Sequence, residues 1–294
     1  MRYGMGMPVT TQTPGATPAC AATAALDDVV AVAQAADRLG FHHVTTSHHV
    51  SVPAPEVDPY ASTHGSHFWD PAVTFAFLGA QTTRLRFLPY CYVIGLDHPL
   101  ELAKTFGTVD LVTGGRLILG FGVGNFAPEF AMLEKHFDDR GPRADDSLRA
   151  LRACWGQRVV SYDGPYYQFD RYVVSPHSVQ APVPTMIAGH TARALRRAVE
   201  LGDGWMPTPS SHGGPDDDAI RRMMARHDVP DGFELLLSPG GLLDPVGDPG
   251  DTKARLDAVA AGPATMCNVR FVHTSRAQLV EQMEAFAGLA DMGQ

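Results

Sequence analysis

Two adjacent histidines, His48 and His49, directly follow the apolar segment Phe41–Thr46, which has the composition of a buried strand. An imidazole can give or take a proton near neutral pH, bind an anionic ring, or ligate a metal. At the end of a strand, one of the two side chains can point into a site while the other points away. The pair is therefore a candidate catalytic centre, with a purely structural histidine pair as the alternative.

A metal site at this position gains some support from His64 and His67 downstream. It lacks the carboxylate or histidine partners at later strand ends that a metal-dependent barrel hydrolase needs. The four cysteines are scattered without a CxxC spacing, so neither a zinc site nor a redox dithiol is indicated. We therefore expect no bound metal.

A turn of small residues joins the apolar segment Thr185–Ala188 to the helix-forming segment Ala192–Leu201. Gly189 lets a ligand approach the backbone where a side chain would clash, and Thr191 is a suitable helix N-cap. The free N–H groups and the dipole at a helix N-terminus attract anions. Together with His190, these residues form a candidate seat for a cofactor phosphate, and an ordinary strand-to-helix turn is equally compatible with them.

Two further strand ends carry unusual residues. Pro89 cannot donate to a sheet hydrogen-bond ladder, so we expect a bulge or distortion there, and Tyr90 or Cys91 can then flank a ring. No base lies near Cys91 in the sequence, which argues against a nucleophilic thiol. The glycines of the segment Gly120–Gly124 lie within a strand, so they favour space for a flat ligand or tight packing over a dinucleotide-binding loop.

Strand-like and helix-like segments alternate along the whole chain. This order predicts a parallel sheet, and about eight β-α units predict a (β/α)₈ TIM barrel of one domain, residues 1–294. A doubly wound sheet is the alternative, but the glycine-rich fingerprint expected after its first strand is absent. The predicted strands are Arg2–Met7, Phe41–Thr46, Leu85–Val93, Arg116–Val123, Thr185–Ala188, Gly204–Pro207, Phe233–Leu237 and Met266–Val272. The predicted helices are Leu26–Leu39, Pro71–Thr82, His98–Leu111, Gly141–Trp155, Ala192–Leu201, Pro215–His227, Asp251–Ala261 and Ser275–Leu289.

Two connecting segments, His48–Trp69 and Val159–Pro184, are longer than usual for a compact domain, and their aromatic content favours ordered packing. In a barrel they would be insertions at the C-terminal mouth, where chemistry is done. The charged residues after the fourth strand, Glu129, Arg140 and Arg143, are interpreted as members of ion pairs that buttress the barrel.

The bulk composition excludes several classes of function. The 294 residues carry a formal net charge of −9 at pH 7, which argues against binding to nucleic acid or to an anionic membrane surface. No N-terminal signal segment is evident, and no apolar run approaches the ~18 residues of a membrane span. We expect a cytoplasmic protein whose ligands are small molecules.

Taken together, these residues resemble the bacterial luciferase-like monooxygenase superfamily, most densely from Trp69 to Pro207. The sequence at Arg140-Gly141 and Ala188-Gly189-His190 is most similar to that of the actinobacterial branch that uses the deazaflavin coenzyme F-420. The motifs that carry the resemblance are Phe41–His49, Trp69-Asp70-Pro71, Ala103-Lys104, Val109-Asp110, Gly114–Leu117, Leu119–Gly124, Glu129-Phe130, Phe137 with Arg140, Gly189-His190 and Gly202–Trp205.

The resemblance implies a (β/α)₈ barrel that holds a flavin or deazaflavin ring in its mouth. It implies an oxidoreductase that transfers a hydride between coenzyme F-420 and a small organic substrate. An FMN-dependent monooxygenase that activates oxygen is the alternative. A homodimer is usual among similar proteins.

The resemblance also assigns roles to individual residues. His49 matches the histidine beside the ring and substrate, where it gives or takes a proton, and His48 is its neighbour in the catalytic centre. Tyr90 and Cys91 match the bulge residues that back the ring, often across a non-proline cis peptide. The other cofactor-binding positions are Val123, Asn125, Gly189, His190 and Thr191.

Three positions depart from the family pattern. His48 stands where the family usually has an acidic residue, which contacts the ring in the deazaflavin enzymes. Asn125 replaces an aromatic residue, and Tyr90 replaces a small one. His48 and Tyr90 keep open a relative that binds a ligand without redox chemistry. A metal-dependent barrel hydrolase using His48 and His49 is a further alternative.

Overall fold

The computed structural model describes residues 1–10, 18–207 and 217–292. Parallel strands of this part of the chain form a barrel surrounded by helices. The strands are β1 (Arg2–Gly6), β2 (His43–Thr46), β3 (Arg86–Pro89), β4 (Tyr92–Val93), β5 (Leu119–Gly122), β6 (Val159–Asp163), β7 (Gln168–Val173), β8 (Thr185–Ala188), β9 (Gly204–Met206), β10 (Glu234–Leu237) and β11 (Met266–Val269). The helices are α1 (Leu26–Leu39), α2 (Tyr60–His64), α3 (Pro71–Gly79), α4 (Pro99–Val112), α5 (Ala127–Met132), α6 (Arg140–Cys154), α7 (Ala192–Leu201), α8 (Asp217–Met224), α9 (Pro249–Ala261) and α10 (Arg276–Leu289).

In the described residues, the main sheet has nine strands in the order β3-β2-β1-β11-β10-β9-β8-β5-β4. β3 and β4 are two halves of one strand that is interrupted at Tyr90 and Cys91. β3 pairs with β2, whereas β4 pairs with β5, and a parallel bridge joins Phe87 to Leu117. The sheet therefore closes, and the predicted (β/α)₈ barrel is confirmed, with the interruption where Pro89 predicted a distortion.

The ends of several helices follow directly from the sequence. α1 stops at Gly40, whose φ of 85° is a left-handed conformation that favours glycine. α3 begins after Asp70, whose side chain accepts a hydrogen bond from the Val73 amide at 2.8 Å. α4 begins with Pro99, which lacks the N–H that a first helical turn leaves unused. These signals set the ends of the helices. Each helix returns the chain to the end of the barrel where the next parallel strand begins.

Two of the apolar clusters in the described residues hold the barrel together. The larger one lies between the strands and the surrounding helices, where each buried side chain is removed from water. The smaller one fills the barrel, and Tyr90 and Cys91 pack against it. Its buried members are Leu88, Ile118, Met186, Ala188, Met206, Leu236 and Met266. The barrel is thus a packed core, and open space for a ligand is at its ends.

The two long insertions are ordered in different ways. The first contains the short helix α2 and packs aromatic rings beside the end of β2. The second is the antiparallel hairpin β6–β7, fixed to α6 by Asp146, which accepts hydrogen bonds from the Tyr162 hydroxyl and from the Tyr166 and Tyr167 amides. The Tyr167 ring lies 5.3 Å from the ring of His98, so the tip of the hairpin reaches the start of α4.

Some local details differ from the sequence prediction. The short helices α2 and α5 are additional, because neither has the length or periodicity that marks a helix in a sequence. The predicted helix Pro215–His227 is observed as α8, and its first residues lie outside the described residues. In the part of the chain that the structure covers, no helix combines the length and the apolar character needed to cross a bilayer.

Candidate functional site

The carboxyl ends of the barrel strands meet at one mouth, and His49 lies there with a buried carboxylate as its partner. The Nδ1 atom of His49 is 3.0 Å from Oε2 of Glu129 on α5. The other carboxylate oxygen of Glu129 accepts a hydrogen bond from the Val50 amide at 2.7 Å. Glu129 is 1% exposed, so the two contacts hold it away from water. The structure therefore joins two regions that are far apart in the sequence.

The electrostatics of this pair define its protonation. Burial alone raises the pKa of Glu129, but the hydrogen bonds from His49 and Val50 and the nearby imidazoles outweigh burial and lower this pKa below its ordinary value. A carboxylate can only accept, so we assign a proton to Nδ1 of His49. In the neutral ring this leaves Nε2 as a hydrogen-bond acceptor facing the other side. Glu129 thus fixes both the tautomer and the orientation of His49.

An aromatic cluster from the first insertion covers His49. The Tyr60 hydroxyl is 3.2 Å from His49 Nε2, and the Phe68 ring lies 4.8 Å from the His49 ring. The Tyr60 ring is stacked between Phe126 at 4.0 Å and His64 at 4.1 Å. Burial, with the charge of Glu129, raises the pKa of Tyr60 to about 12, so its hydroxyl keeps its proton and can donate to Nε2.

His48 has a different environment from His49. Its Nδ1 accepts a hydrogen bond from the Val93 amide at 3.2 Å, and its ring is stacked 3.7 Å from that of Tyr92. The Tyr92 hydroxyl donates in turn to Asp97 at 2.8 Å. Burial lowers the pKa of His48 to about 4, which keeps the ring neutral at pH 7. These contacts tie the end of β2 to β4, and a catalytic role for His48 stays a prediction.

Tyr90 and Cys91 lie at the mouth, and the peptide bond between them is cis. Burial raises the pKa of the Cys91 thiol to about 11, so this thiol stays protonated and is a poor nucleophile. A Cβ built at Gly122 would lie 2.5 Å from Cys91 Sγ, and one built at Gly120 would overlap the Pro89 carbonyl. Of the two roles open for the glycines of β5, these two therefore serve tight packing.

The remaining sequence-predicted residues of strand four lie on the loop after β5. Val123 is half-buried and Asn125 is exposed. Arg140 holds this loop, because its Nε donates to the Gly124 carbonyl at 3.0 Å and its guanidinium lies over the Phe137 ring. Arg140 thus acts as a backbone anchor, whereas the sequence suggested an ion pair.

The turn after β8 leads from Gly189 into the N-terminus of α7, and its role as an anion seat stays a prediction. Gly189 has a φ of +127°, and a Cβ there would lie 2.9 Å from Ala194. The Thr191 side chain accepts from the Ala194 amide at 3.2 Å, which leaves the earlier amides of α7 for a ligand. The Trp205 indole donates to the Gly189 carbonyl at 2.7 Å and fixes the turn. His190 is exposed beside it.

Arg270, which the sequence analysis missed, also reaches this mouth. It directly follows β11, and a Cβ built at Gly6 would lie 3.2 Å from its Nε, so the glycine makes room for it. The Tyr90 phenol is one of the groups that interact with it. Burial raises the pKa of Tyr90 to about 12 although Arg270 opposes the shift, so the mouth holds a cation beside a neutral phenol at pH 7.

The donor set suits a phosphorylated organic cofactor better than a metal ion. The α7 N-terminus offers amides to a phosphate, and the described residues contain no cluster of three or more histidine, cysteine, aspartate or glutamate side chains that could hold a metal. His49 supplies a proton acceptor at the same mouth. The arrangement can bind an anionic cofactor and move a proton beside it.

These features define a TIM-barrel protein with its candidate site at the carboxyl ends of the strands. A family model for luciferase-like monooxygenases matches residues 1–239, and the chain belongs to that family. The family predicted from the sequence motifs is therefore confirmed.

The chain is similar to several bacterial proteins. It is 30% identical over 205 residues to an uncharacterised Mycobacterium tuberculosis protein, covering 67% of this chain and 69% of the relative. It is 27% identical over 183 residues to the F420-dependent hydroxymycolic acid dehydrogenase of M. tuberculosis, covering 61% of this chain and 48% of the relative. It is 28% identical over 178 residues to the FMNH(2)-dependent dimethylsulfone monooxygenase of Pseudomonas putida, covering 59% and 46%. Both cofactors implied by the sequence, F420 and FMN, thus occur in the names of relatives.

A solved structure supports the fold independently. The monooxygenase RslO1 from Streptomyces bottropensis superposes with a TM-score of 0.78, at 20% identity, and covers 98% of both chains. At this identity the likeness speaks for the barrel alone.

Glu129, Tyr60 and Arg270 are the site residues that sequence reasoning did not assign. Glu129 was singled out only as part of an ion pair, and its partner is a histidine on another connection. Tyr60 was recognised only as one aromatic residue of a long loop. A search for polar residues immediately after each predicted strand would have found Arg270.

Proposed function

We propose that this chain is a single-domain oxidoreductase that transfers a hydride between the deazaflavin coenzyme F420 and a small organic substrate. The observation that carries the proposal is the Glu129–His49 pair at the barrel mouth. A buried carboxylate that fixes the Nδ1–H tautomer leaves Nε2 ready to take a proton from a substrate. The family and the F420-dependent relative supply the redox class.

The chain's residues divide the work by position. The α7 N-terminus with Gly189, His190 and Thr191 would hold the cofactor phosphate, and Tyr90, Cys91, Val123 and Asn125 would line the ring. When bound, the deazaflavin gives or accepts the hydride. His49 takes or returns the accompanying proton at Nε2, and Glu129 stabilises the imidazolium that results. His48 holds β4 against β2 and so positions Tyr90 and Cys91.

The second candidate is an FMN-dependent monooxygenase, which the dimethylsulfone monooxygenase relative favours. The same phosphate seat and ring position would serve FMN. For either function we propose a cytoplasmic homodimer that acts on small molecules.

Cofactor titration separates the two candidates. Quenching of tryptophan fluorescence by F420 at micromolar concentration, without quenching by FMN, is the result expected for the first. Binding of FMN alone would redirect the proposal to oxygen-dependent chemistry. Binding of neither cofactor would reject both redox functions.

The role of His49 is tested by His49→Asn. Asparagine keeps a donor near the position of Nδ1 for Glu129 but has no counterpart of Nε2. We expect the affinity for F420 to stay within about threefold and turnover to fall at least ~100-fold, as for loss of a general base. His136→Asn, an exposed histidine, is the matched control. Turnover of His49→Asn equal to that of the control would remove His49 from the mechanism.

A further inference from the structure

Tyr60 contacts His49 on the side of the ring that faces away from Glu129. Its hydroxyl is 3.2 Å from Nε2, the only nitrogen of His49 that Glu129 does not hold. This separation is longer than the ~2.8 Å typical of a hydrogen bond from a hydroxyl group. A substrate oxygen that forms a hydrogen bond of this shorter length could compete with the contact.

We propose that Tyr60 is a substrate-binding residue that, together with His49, selects substrates carrying a hydroxyl group. The inference rests on the proposed function, and it specifies the substrate as an alcohol. The alcohol O–H donates to His49 Nε2, and the Tyr60 hydroxyl donates to the same alcohol oxygen. The alcohol oxygen thus donates one hydrogen bond, to His49, and accepts another, from Tyr60.

Two hydrogen-bond lengths define where this oxygen would lie. An atom placed ~2.8 Å from both Nε2 and the Tyr60 oxygen forms a nearly equilateral triangle with the 3.2 Å separation between them. The inserted oxygen replaces one long hydrogen bond with two of ordinary length.

The surroundings of Tyr60 favour a fixed donor over a movable cover. Its ring is stacked on Phe126 on one side and on His64 on the other, with centroid distances of 4.0 and 4.1 Å. The interplanar angles are 24° and 6°, so both faces of the ring are occupied. A ring held on both faces presents its hydroxyl at a defined point, which is what selection of a single oxygen requires.

The proposal also explains why this residue is a tyrosine. Its raised pKa keeps the hydroxyl a donor, and Glu129 keeps Nε2 an acceptor through Nδ1. An ether or a thioether offers no proton to Nε2, so the pair would discriminate against such analogues. A site built around a substrate hydroxyl rejects the analogue lacking it because its buried polar groups are left unpaired.

The test compares Tyr60→Phe with Tyr172→Phe, an exposed tyrosine of the hairpin. The first readout is the ¹⁵N resonance of His49 Nε2 in the cofactor-free protein, assigned by its loss in His49→Asn. We expect Tyr60→Phe, and not Tyr172→Phe, to shift this resonance. We also expect 2-propanol to shift it in the wild type, and 2-methoxypropane to leave it unchanged.

The second readout is steady-state kinetics with F420 and a panel of primary and secondary alcohols. Loss of one neutral hydrogen bond predicts a KM about three- to tenfold higher in Tyr60→Phe, with an unchanged Kd for F420. An Nε2 resonance that neither Tyr60→Phe nor 2-propanol moves would overturn the proposal, as would unchanged KM values.

The failure of the proposed function is distinguishable from the failure of this inference. If the wild type binds neither F420 nor FMN, the redox function is rejected, while the Nε2 measurements still decide the role of Tyr60 because they need no cofactor. If F420 binds and alcohols are oxidised equally by both tyrosine variants, the redox function stands and the Tyr60 inference is rejected.

Discussion

Strand β2 has a histidine pair at each end, and the two pairs behave differently. His42 and His43 lie where the strand begins, and His48 and His49 lie beyond its end at the mouth. At the beginning, the two Nδ1 atoms are 3.1 Å apart and hydrogen-bond to each other. At the mouth, His49 has a carboxylate as its partner.

The pair at the beginning of β2, His42 and His43, serves packing. His43 is fully buried, and its ring occupies the space above Gly4 where a Cβ would otherwise lie. Burial, reinforced by Arg2 and Arg86, lowers the pKa of His42 to about 4, and burial lowers that of His43 well below its ordinary value. Both rings are therefore neutral at pH 7 and cannot serve as acids there.

The difference teaches that the partner of a buried histidine decides its use. Burial alone disfavours the imidazolium, so the ring stays neutral and does not take up a proton at pH 7. A buried carboxylate on Nδ1 stabilises the imidazolium when it forms and orients the other nitrogen. Only one of the four histidines, His49, has such a partner among the described residues.

The largest effect should come from removing this partner's charge. Glu129→Gln keeps the shape of the side chain, but its amide cannot stabilise an imidazolium. We expect kcat/KM to fall about 1000-fold, within the range for general acid–base catalysis. Steady-state kinetics with saturating F420 measures the loss, and Glu284→Gln, an exposed residue paired with Arg38, is the control. A loss of kcat/KM below about threefold would show that the carboxylate partner is not what distinguishes His49 from the histidines at the beginning of β2.

The second-largest effect should be a loss of folding stability at acid pH, caused by the buried neutral histidines. In the unfolded chain their pKa returns to about 6.5, while His42 and His48 stay neutral in the fold until about pH 4. The unfolded state therefore binds protons first, so stability is full above about pH 6.5 and falls as the pH drops toward 4. For a buried ring such as His48, the loss is on the order of 3 kcal/mol.

Urea unfolding at a series of pH values measures this loss. His43→Phe removes one ring that resists protonation, so its free energy of unfolding should depend less on pH between 6.5 and 4 than that of the wild type. His136→Asn should keep the wild-type slope. Equal slopes for all three proteins would assign the acid sensitivity to other groups.

Much of the fold, but only half of the candidate site, is readable from the sequence. Apolar segments with Pro and Gly at helix ends predicted the barrel, because these signals are local. The Glu129–His49 contact depends on α5, a helix of 6 residues that has no periodic signal of its own. Likewise, the sequence left the role of Gly122 open, and only the position of Cys91, in the interruption between β3 and β4, shows that Gly122 serves packing.

A substitution that disturbs packing at the His42–His43 pair should reduce stability and leave kcat/KM unchanged. Gly4→Ala places a methyl group into the His43 ring, which has no space to retreat. Overpacking of this kind costs about 2 kcal/mol, and kcat/KM of the folded protein should stay within about twofold. Gly288→Ala on α10, where a Cβ meets nothing within 4 Å, should instead raise stability slightly. Thermal unfolding with activity on the same samples checks both.

The smallest effect should come from His42 itself. His42→Asn keeps a polar group near Nδ1 that can still hydrogen-bond to His43, and the half-buried site leaves its other side near water. We expect a loss of at most about 1 kcal/mol in unfolding free energy and unchanged kcat/KM. The same histidine-to-asparagine change at His49 should abolish most turnover, since there the lost nitrogen is the one that faces substrate. If His42→Asn instead lowers turnover as His49→Asn does, the histidines at the two ends of β2 are coupled, and a carboxylate partner is not what separates them.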